Sequence, residues 1–191
     1  MFKALRGLLA ASLLMGSLAA ISTVEAAPEK QVIDVAHSTL NFTAVSFLLD
    51  TEGTFKKWEG ELMLDRADIT KSSVNVSIDV SSIDTRIEKR DEHLKGSDFF
   101  DVAKFPKITF KSTKVEKSGD KGFNLVGELT MHGVTKTVTL PVTIDRLQDN
   151  YSRFRASGNL SRKDFGITFD SKLNPIEDNV KFELVINIKK P

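Results

Sequence analysis

The sequence predicts an all-β domain of about eight antiparallel strands with one short helix. Apolar and polar residues alternate with a period of two through most of the chain after residue 26, as in strands with one buried and one solvated face. Turn-forming residues separate the alternating runs, and such short connections favour antiparallel neighbours. The repeated pattern indicates a sandwich or a barrel, and periodicity alone leaves both open.

Residues 1–26 are predicted to be a cleaved secretory signal peptide. Lys3 and Arg6 give a positive start, an uncharged run rich in Leu and Ala follows, and compact residues precede the expected cut after Ala26. The apolar run is shorter than the roughly 20 residues that span a bilayer. We therefore expect an exported periplasmic protein, soluble after cleavage, whose single domain covers residues 27–191.

The charge balance argues against nucleic acid as a partner. The chain has 27 Lys and Arg against 26 Asp and Glu, and loss of Lys3, Arg6 and Glu25 with the leader leaves no net charge. A neutral domain without a basic stripe has no electrostatic attraction to nucleic acid. The chain contains no Cys, so we expect no disulfides and no lipid anchor. No later apolar run is long enough for a stable membrane span.

Eight runs carry the alternation that predicts strands. Four are strong, with Val, Ile, Leu or Phe on one face and mostly polar residues on the other: residues 73–80, 123–131, 137–145 and 182–188. Four are weaker: residues 40–47, 59–65, 108–115 and 154–160. We find no internal repeat or linker among them, so a single domain is the simplest interpretation.

Residues 86–95 break the alternation and predict the short helix. Thr85 and Glu88 fit a capping box at its start, and Gly96 suits the position after its end. The dense charges of this segment are typical of a solvated helix face.

Asp91 is the most informative single residue, because it shares one helix face with Ile87 and Leu94 and that face should meet the sheet. An inward carboxylate costs free energy unless it is hydrogen-bonded or paired. Two roles are open for it. It contacts the head of a ligand at the mouth of a cavity, or it is a tether that accepts bonds from loop amides or Arg90.

The three histidines, His37, His93 and His132, do not predict a metal site, because they lack the short spacing of zinc motifs and no thiolate is available. No G-x-S-x-G elbow is present for a nucleophilic serine. We expect no cofactor and no catalysis. The rival hypothesis is a barrel-pocket enzyme that uses Asp91 with His93 or His37 as its acid–base pair.

Phenylalanine is over-used, with 13 Phe against one Trp and one Tyr. A Phe side chain has no polar tip and needs no partner when it is buried. The composition suits the wall of a dry tunnel and also a filled core, and leaves both open.

A series of short motifs runs along the chain in a recognisable order. They are Ile33-Asp34 with His37-Ser38, Gly53, Phe55, Trp58 and Gly60, Ser82-Ile83-Asp84-Thr85, Arg90-Asp91, His93-Leu94, Asp98-Phe99-Phe100-Asp101-Val102, Phe105-Pro106, Ile108-Thr109-Phe110, Ser112-Thr113, Gly127-Glu128-Leu129-Thr130 and Gly133-Val134-Thr135-Lys136. In this order they resemble the YceI-like family of bacterial polyisoprenoid-binding proteins, over essentially the whole chain after the leader.

The resemblance implies a lipocalin-like antiparallel β-barrel of about eight strands, about wide enough for one slim ligand. It implies an exported protein that encloses a long apolar lipid, a polyisoprenoid, isoprenoid quinone or acyl chain, for transport, storage or scavenging. Alternation then suggests these residues for the cavity wall: Phe42, Val76, Ile78, Phe110, Leu125, Leu140 and Phe182. At the polar rim we expect Asp91, His93 and Arg90.

Two further alternatives concern function and assembly. A stress-linked periplasmic interaction protein would have a filled barrel and no lipid. The sequence leaves the ligand's head group and the oligomeric state open, a homodimer included. Family members often carry His in the second strand, where this chain has Val45-Ser46-Phe47. If that His contacts ligand heads in relatives, this chain prefers another head group or none.

Overall fold

The computed structural model describes residues 27–190, so the leader prediction lies outside the described residues. Within that range the strands are β1 Glu29–Ile33, β2 Thr39–Ser46, β3 Thr51–Phe55, β4 Trp58–Leu64, β5 Ser73–Asp79, β6 Ile83–Asp84, β7 Lys107–Lys117, β8 Gly122–Met131, β9 Val134–Leu147, β10 Tyr151–Ser161 and β11 Ile176–Lys189. The α-helix α1 is Glu88–Lys95, and 3-10 turns cover Val35–His37, Ile69–Lys71, Val80–Ser82 and Lys163–Phe165.

The strands close into one antiparallel barrel. The order around the ring is β1-β4-β5-β7-β8-β9-β10-β11, and β11 pairs back with β1. β2 and β1 pair with successive parts of β11, β3 pairs with β2, and β6 pairs with β3. Consequently three pairs of consecutive strands, β1–β2, β3–β4 and β5–β6, each act as one bent strand. Together with β7 to β11 they make an eight-stranded up-and-down barrel. The predicted fold class is confirmed, and the barrel rather than the sandwich is correct.

Each of the eight predicted strands is present. The missed strands β1, β3 and β6 are short, and the alternation in β1 is also interrupted, because Gln31, one of its two inward residues with Ile33, is polar. Gln31 is 3% exposed and its side chain accepts a hydrogen bond from Arg66. An inward amide in place of an aliphatic side chain removes the alternation that reveals a strand.

One end of the barrel, the floor end, is closed by packed side chains. It carries the β7–β8 and β9–β10 turns and the connection between β4 and β5. Seven buried residues pack there, and Phe182 extends the same cluster into the wall: Leu64, Val115, Phe123, Val142, Phe154, Ala156 and Ile188. The rings of Phe123 and Phe154 lie edge to face with centroids 6.2 Å apart, a favourable arrangement for aromatic pairs.

The opposite end, the mouth end, carries two long connections, which are the segment 85–106 that contains α1 and the segment 162–175 between β10 and β11. It also carries the four-residue β2–β3 turn (residues 47–50). The two long segments replace tight turns with irregular backbone, and all three surround the entrance to the barrel interior.

The helix begins two residues later than predicted. Ile87 is its N-cap and no side chain caps it, so the predicted capping box of Thr85 and Glu88 is wrong. Arg86 adopts a left-handed φ of 67°, and Thr85 is 1% exposed in the interior. Ile87 is 52% exposed and does not share the inward face, whereas Gly96 follows the helix end as predicted.

Candidate ligand-binding cavity

The barrel encloses a cavity of about 600 Å³. Inward side chains from both the bent and the straight strands line it, and most of them are aliphatic or aromatic. Small-molecule sites have volumes of roughly 300–1,000 Å³ and predominantly apolar walls. The interior can therefore hold an apolar molecule of substantial size.

All seven residues that the sequence suggested for the wall line this cavity: Phe42, Val76, Ile78, Phe110, Leu125, Leu140 and Phe182. Their contact with a ligand stays a prediction. Sequence reasoning left out other strand residues with the same inward register, such as Val74, Val138, Val180 and Leu184. It also missed Phe99, Ile167 and Phe169, which lie outside strands and carry no periodic signal.

Five of the seven wall residues are only partly buried, whereas Phe110 and Phe182 are buried. Val76, Ile78, Leu125 and Leu140 are directed inward yet only partly buried, whereas Phe123 at the floor is buried. An inward side chain keeps accessible surface when it faces a void instead of another side chain. The partial exposure therefore marks the section of the barrel that its own side chains do not fill.

A row of two phenylalanines and two glycines crosses four strands of the wall. Gly158 pairs with Phe182, Phe182 pairs with Phe42, and Phe42 pairs with Gly53. A Cβ on Gly53 would lie 2.3 Å from the Phe42 ring, and one on Gly158 would lie 2.8 Å from the Phe182 ring. The missing side chains thus let both rings lie flat along the wall, which keeps the lumen open.

Polar residues of the lining concentrate at the mouth end. Ser46, Thr51, Ser171 and Asn174 are half-buried, His93 is exposed, and all five line the cavity. The cavity therefore reaches the surface between the β2–β3 turn, α1 and the segment 162–175. A polar entrance to an apolar interior could hold the head group of a lipid while its chain is buried.

Arg90 lines the cavity, but Asp91 does not. Asp91 Oδ1 accepts hydrogen bonds from Thr85 N (2.8 Å) and Thr85 Oγ1 (2.5 Å). Arg90 Nε donates to Thr85 Oγ1 at 2.8 Å, Nη2 donates to Thr85 O at 2.8 Å, and Nη1 donates to Thr51 Oγ1 at 3.3 Å. Of the two roles left open for Asp91, this geometry favours the tether that fixes the start of α1.

His93 forms one side of the mouth through aromatic contacts. Its ring lies edge-on to Phe99 and Phe169, with centroids 5.0 and 5.4 Å away, and the two phenylalanines are 4.9 Å apart. His93 Nε2 pairs with Asp98 Oδ2 at 3.3 Å. The three rings join the α1 segment to the segment 162–175. Since Asp91 bonds Thr85 and His93 bonds Asp98, the two are not arranged as an acid–base pair.

Arg162 is a wall residue that sequence reasoning missed. It is 5% exposed, and its guanidinium donates to four backbone carbonyls, those of Ile167, Phe169, Ile176 and Glu177, at 2.7–3.1 Å. These bonds fold the segment 162–175 against the ends of β10 and β11. A charge-assisted donor set of this kind holds a connection in one conformation at the cavity entrance.

The other two histidines lie apart from the cavity lining. His37 Nδ1 pairs with Asp34 Oδ2 at 3.0 Å, and this hydrogen bond lowers the pKa of the Asp34 carboxyl below its ordinary value. His132 Nδ1 contacts Phe165 O at 3.1 Å. Among residues 27–190, no group of three or more His, Asp or Glu side chains is placed to hold a metal ion.

These features place the protein in one structural class: closed antiparallel β-barrels with an apolar internal cavity and a polar entrance. Two of its sequence relatives illustrate the group to which it is similar. A UPF0312 protein of Yersinia pestis (strain Pestoides F) is 40% identical over 142 residues, which cover 72% of this chain and 71% of the relative. The protein YceI of Salmonella arizonae is 40% identical over 142 residues, 72% of each chain.

Solved structures agree with this grouping. Burkholderia cenocepacia BcnA has a TM-score of 0.76 at 26% identity and covers 82% of this chain and 99% of its own. The Campylobacter jejuni YCEI protein has a TM-score of 0.71 at 26% identity, with coverage of 75% and 87%. A polyisoprenoid-binding domain from Saccharophagus degradans, implicated in plant cell wall breakdown, has a TM-score of 0.62 at 16% identity, with coverage of 86% and 99%. That last likeness concerns the fold alone.

The family model of the YceI-like domain matches residues 31–188, and the chain belongs to this family. The resemblance seen in the sequence motifs is thereby confirmed. In the described part of the chain, no helix has the length and apolar character needed to cross a membrane.

Proposed function

We propose that this protein is exported to the periplasm and encloses one long apolar lipid, a polyisoprenoid, an isoprenoid quinone or an acyl chain. The observation that carries the proposal is the cavity of about 600 Å³, which has an apolar wall and a polar entrance. Export is supported by the leader pattern of residues 1–26.

The energetic basis of the proposal is burial of methylene groups. Each methylene that leaves water gains roughly 0.8 kcal/mol, so a chain of many methylenes binds tightly to an apolar wall without any polar contact. Arg90, His93 and the half-buried polar residues of the mouth then lie where a head group would emerge. The ligand's carriage, storage or scavenging requires no chemical step, so the proposal assigns no catalytic residue.

The cavity also bears on the alternatives. An interaction protein with a filled barrel predicts no void, and the cavity disfavours it. An enzyme needs an acid–base pair at the lumen, and the separate partners of Asp91 and His93 disfavour the pair suggested from the sequence.

The test is native mass spectrometry of the protein from its own host, followed by solvent extraction and identification of the released lipid. We expect a stoichiometric isoprenoid or acyl species. The matched pair of variants is Leu140→Trp and Thr139→Trp. Leu140 lines the cavity, whereas its neighbour Thr139 is exposed on the outer face.

Trp at the inward position should occupy part of the lumen and strongly reduce the lipid, while the outward variant should retain it. Added lipid at 100 times its dissociation constant should also stabilise the native protein by about 2.7 kcal/mol. A bare wild-type mass without thermal protection by any apolar lipid would contradict the proposal. Equal lipid content in both Trp variants would show that the lipid lies elsewhere.

A further inference from the structure

Among residues 27–190, the most exposed large apolar side chains lie at the mouth end. In the described range, the large apolar residues with more than half of their surface exposed are Phe47, Leu48, Leu49, Ile87 and Leu173. Leu173 is 88% exposed, Phe47 78%, Leu48 66% and Leu49 55%. The other exposed large apolar side chains of that range do not exceed 40%.

Two of the mouth connections carry four of these residues, Phe47, Leu48, Leu49 and Leu173, which we call the apolar tips. Backbone and side-chain bonds hold the two connections side by side. Phe47 N donates to Pro175 O at 3.0 Å, and Leu48 N donates to Asn174 Oδ1 at 2.9 Å. Asn174 Nδ2 donates to Ser46 Oγ at 3.1 Å. The apolar side chains therefore project from a fixed scaffold, although nothing in the barrel covers them.

The apolar tips border the entrance of the cavity. Ser46 precedes Phe47, Asn174 follows Leu173, and both Ser46 and Asn174 line the cavity. A surface that touched the tips would therefore also meet the mouth. Contiguous exposed apolar residues commonly mark a protein or membrane interaction site, since their exposure to water is costly.

We propose that the apolar tips dock the mouth of the barrel onto the surface of a phospholipid bilayer, so that a lipid passes between bilayer and cavity without crossing water. The inference rests on the proposed function, because a bilayer is where a long apolar lipid resides. Docked in this way, the tips enter the boundary between head groups and acyl chains, as the apolar faces of peripheral proteins do.

Charge and size favour a bilayer over other occupants. The two connections that carry the tips balance three acidic residues against three basic ones: Asp50, Asp164 and Asp170 against Arg162, Lys163 and Lys172. The tips therefore have no positive excess, and the attraction must come from apolar burial. A second protein copy is disfavoured by size. A stable interface uses about 20–30 residues from each partner, and four side chains fall far short of that.

The experiment measures flotation of the mature protein with phosphatidylcholine vesicles, in about 0.1 M and about 1 M salt. The test variant combines Phe47→Ser, Leu48→Ser and Leu173→Ser, whose backbone bonds do not depend on the side chains. The matched control combines Met63→Ser and Leu147→Ser, which are exposed apolar residues 36% and 38% accessible on strands that end at the floor. Thermal unfolding of each variant confirms that the fold is retained.

We expect wild type and control to float at both salt concentrations, and the tip variant to partition at least about tenfold more weakly. Lipid uptake from the vesicles should slow by a similar factor, while uptake of a polyprenol dispersed in detergent stays unchanged. Binding lost in high salt, or equal flotation of tip variant and wild type, overturns the inference. A wild-type dimer that the tip variant abolishes assigns the tips to self-association instead.

The two proposals can fail separately. If detergent-dispersed polyprenol binds but the wild type does not float, the docking inference is wrong and the binding function stands. If vesicles are bound but no polyprenol or acyl lipid enters the protein, the binding function is wrong and the docking surface stands.

Discussion

Both ends of the barrel contain large apolar side chains, but the floor end buries them whereas the mouth end exposes them. At the floor, Phe123 and Phe154 pack against each other in a buried cluster. At the mouth, Phe47 and Leu173 are exposed beside the cavity entrance. The floor excludes water and stabilises the fold, whereas the mouth leaves apolar surface available to something outside the protein. An excess of Phe therefore indicates neither a core nor a binding surface until the position of each residue is known.

The sharpest test of this comparison truncates one phenylalanine at each end. Phe154→Ala removes a side chain that is 6% exposed, and Phe47→Ala removes one that is 78% exposed. We expect the floor substitution to lower the free energy of unfolding by roughly 3–5 kcal/mol, because it leaves a cavity in a packed cluster. The mouth substitution should stay within about 0.5 kcal/mol of wild type. Urea unfolding measures both values.

Comparable losses from the two truncations would break the comparison, because they would show that Phe47 is packed in solution. A small loss from Phe154→Ala would instead show that the floor collapses around the void or that it is not filled in the way the cluster indicates.

A second, smaller effect concerns the connection that carries α1. Asp91→Ala removes the acceptor of Thr85 N, and water cannot replace it because Thr85 is only 1% exposed. An unpaired buried donor costs about 1–3 kcal/mol, so we expect a loss of that size in the free energy of unfolding. Glu92→Ala is the control, since Glu92 is exposed and bonds only to Lys95 at the surface in the described structure.

Hydrogen exchange of the α1 amides shows whether the loss is local. If Asp91→Ala leaves stability and exchange at wild-type values but changes lipid binding, Asp91 is a ligand contact and not a tether. This outcome would restore the role that the polar-rim prediction gave it.

The sequence was most informative where the backbone is regular. Alternation identified eight strands and the inward register of the wall, so Val76, Leu125 and Leu140 were found without a structure. Alternation could not separate a filled barrel from a hollow one, because inward residues alternate in the same way whether they meet side chains or a void. The glycine row that keeps the Phe42 and Phe182 rings flat becomes visible only once the register is known.

The mouth was harder to predict than the wall, for a physical reason. Phe99, Phe169 and Arg162 lie in or beside irregular connections, whose conformation depends on bonds between residues far apart in the sequence. The left-handed Arg86 turned Thr85 inward and removed the expected helix cap. Local patterns carry no information about such tertiary bonds. Of the three residues predicted for the rim, Arg90 and His93 line the cavity, whereas Asp91 does not and bonds to Thr85.

The smallest expected effect tests the electrostatic fixing of the mouth. Asp178 accepts hydrogen bonds from Lys163 N (3.0 Å) and Ser161 Oγ (2.9 Å) and so ties the 3-10 turn Lys163–Phe165 to β11. The Lys163 bond, supported by Ser161 and opposed by partial desolvation, lowers the pKa of Asp178 below 3.8. A lowered carboxyl pKa stabilises the native state above the unfolded pKa, and this contribution disappears as pH falls through the native pKa.

The Asp178→Asn variant does not titrate at this position. Wild type should therefore be more stable than the variant by a constant amount well above pH 3.8, and the difference should shrink as pH falls through and below that value. The effect should be small, because the carboxyl is only half-buried and solvent still screens its bonds. Urea unfolding midpoints of both proteins across the acidic range measure it. If the stability difference between wild type and variant does not change with pH, Asp178 supports the mouth by its shape and not by its charge. The stability of the mouth would then depend on charge no more than that of the packed floor.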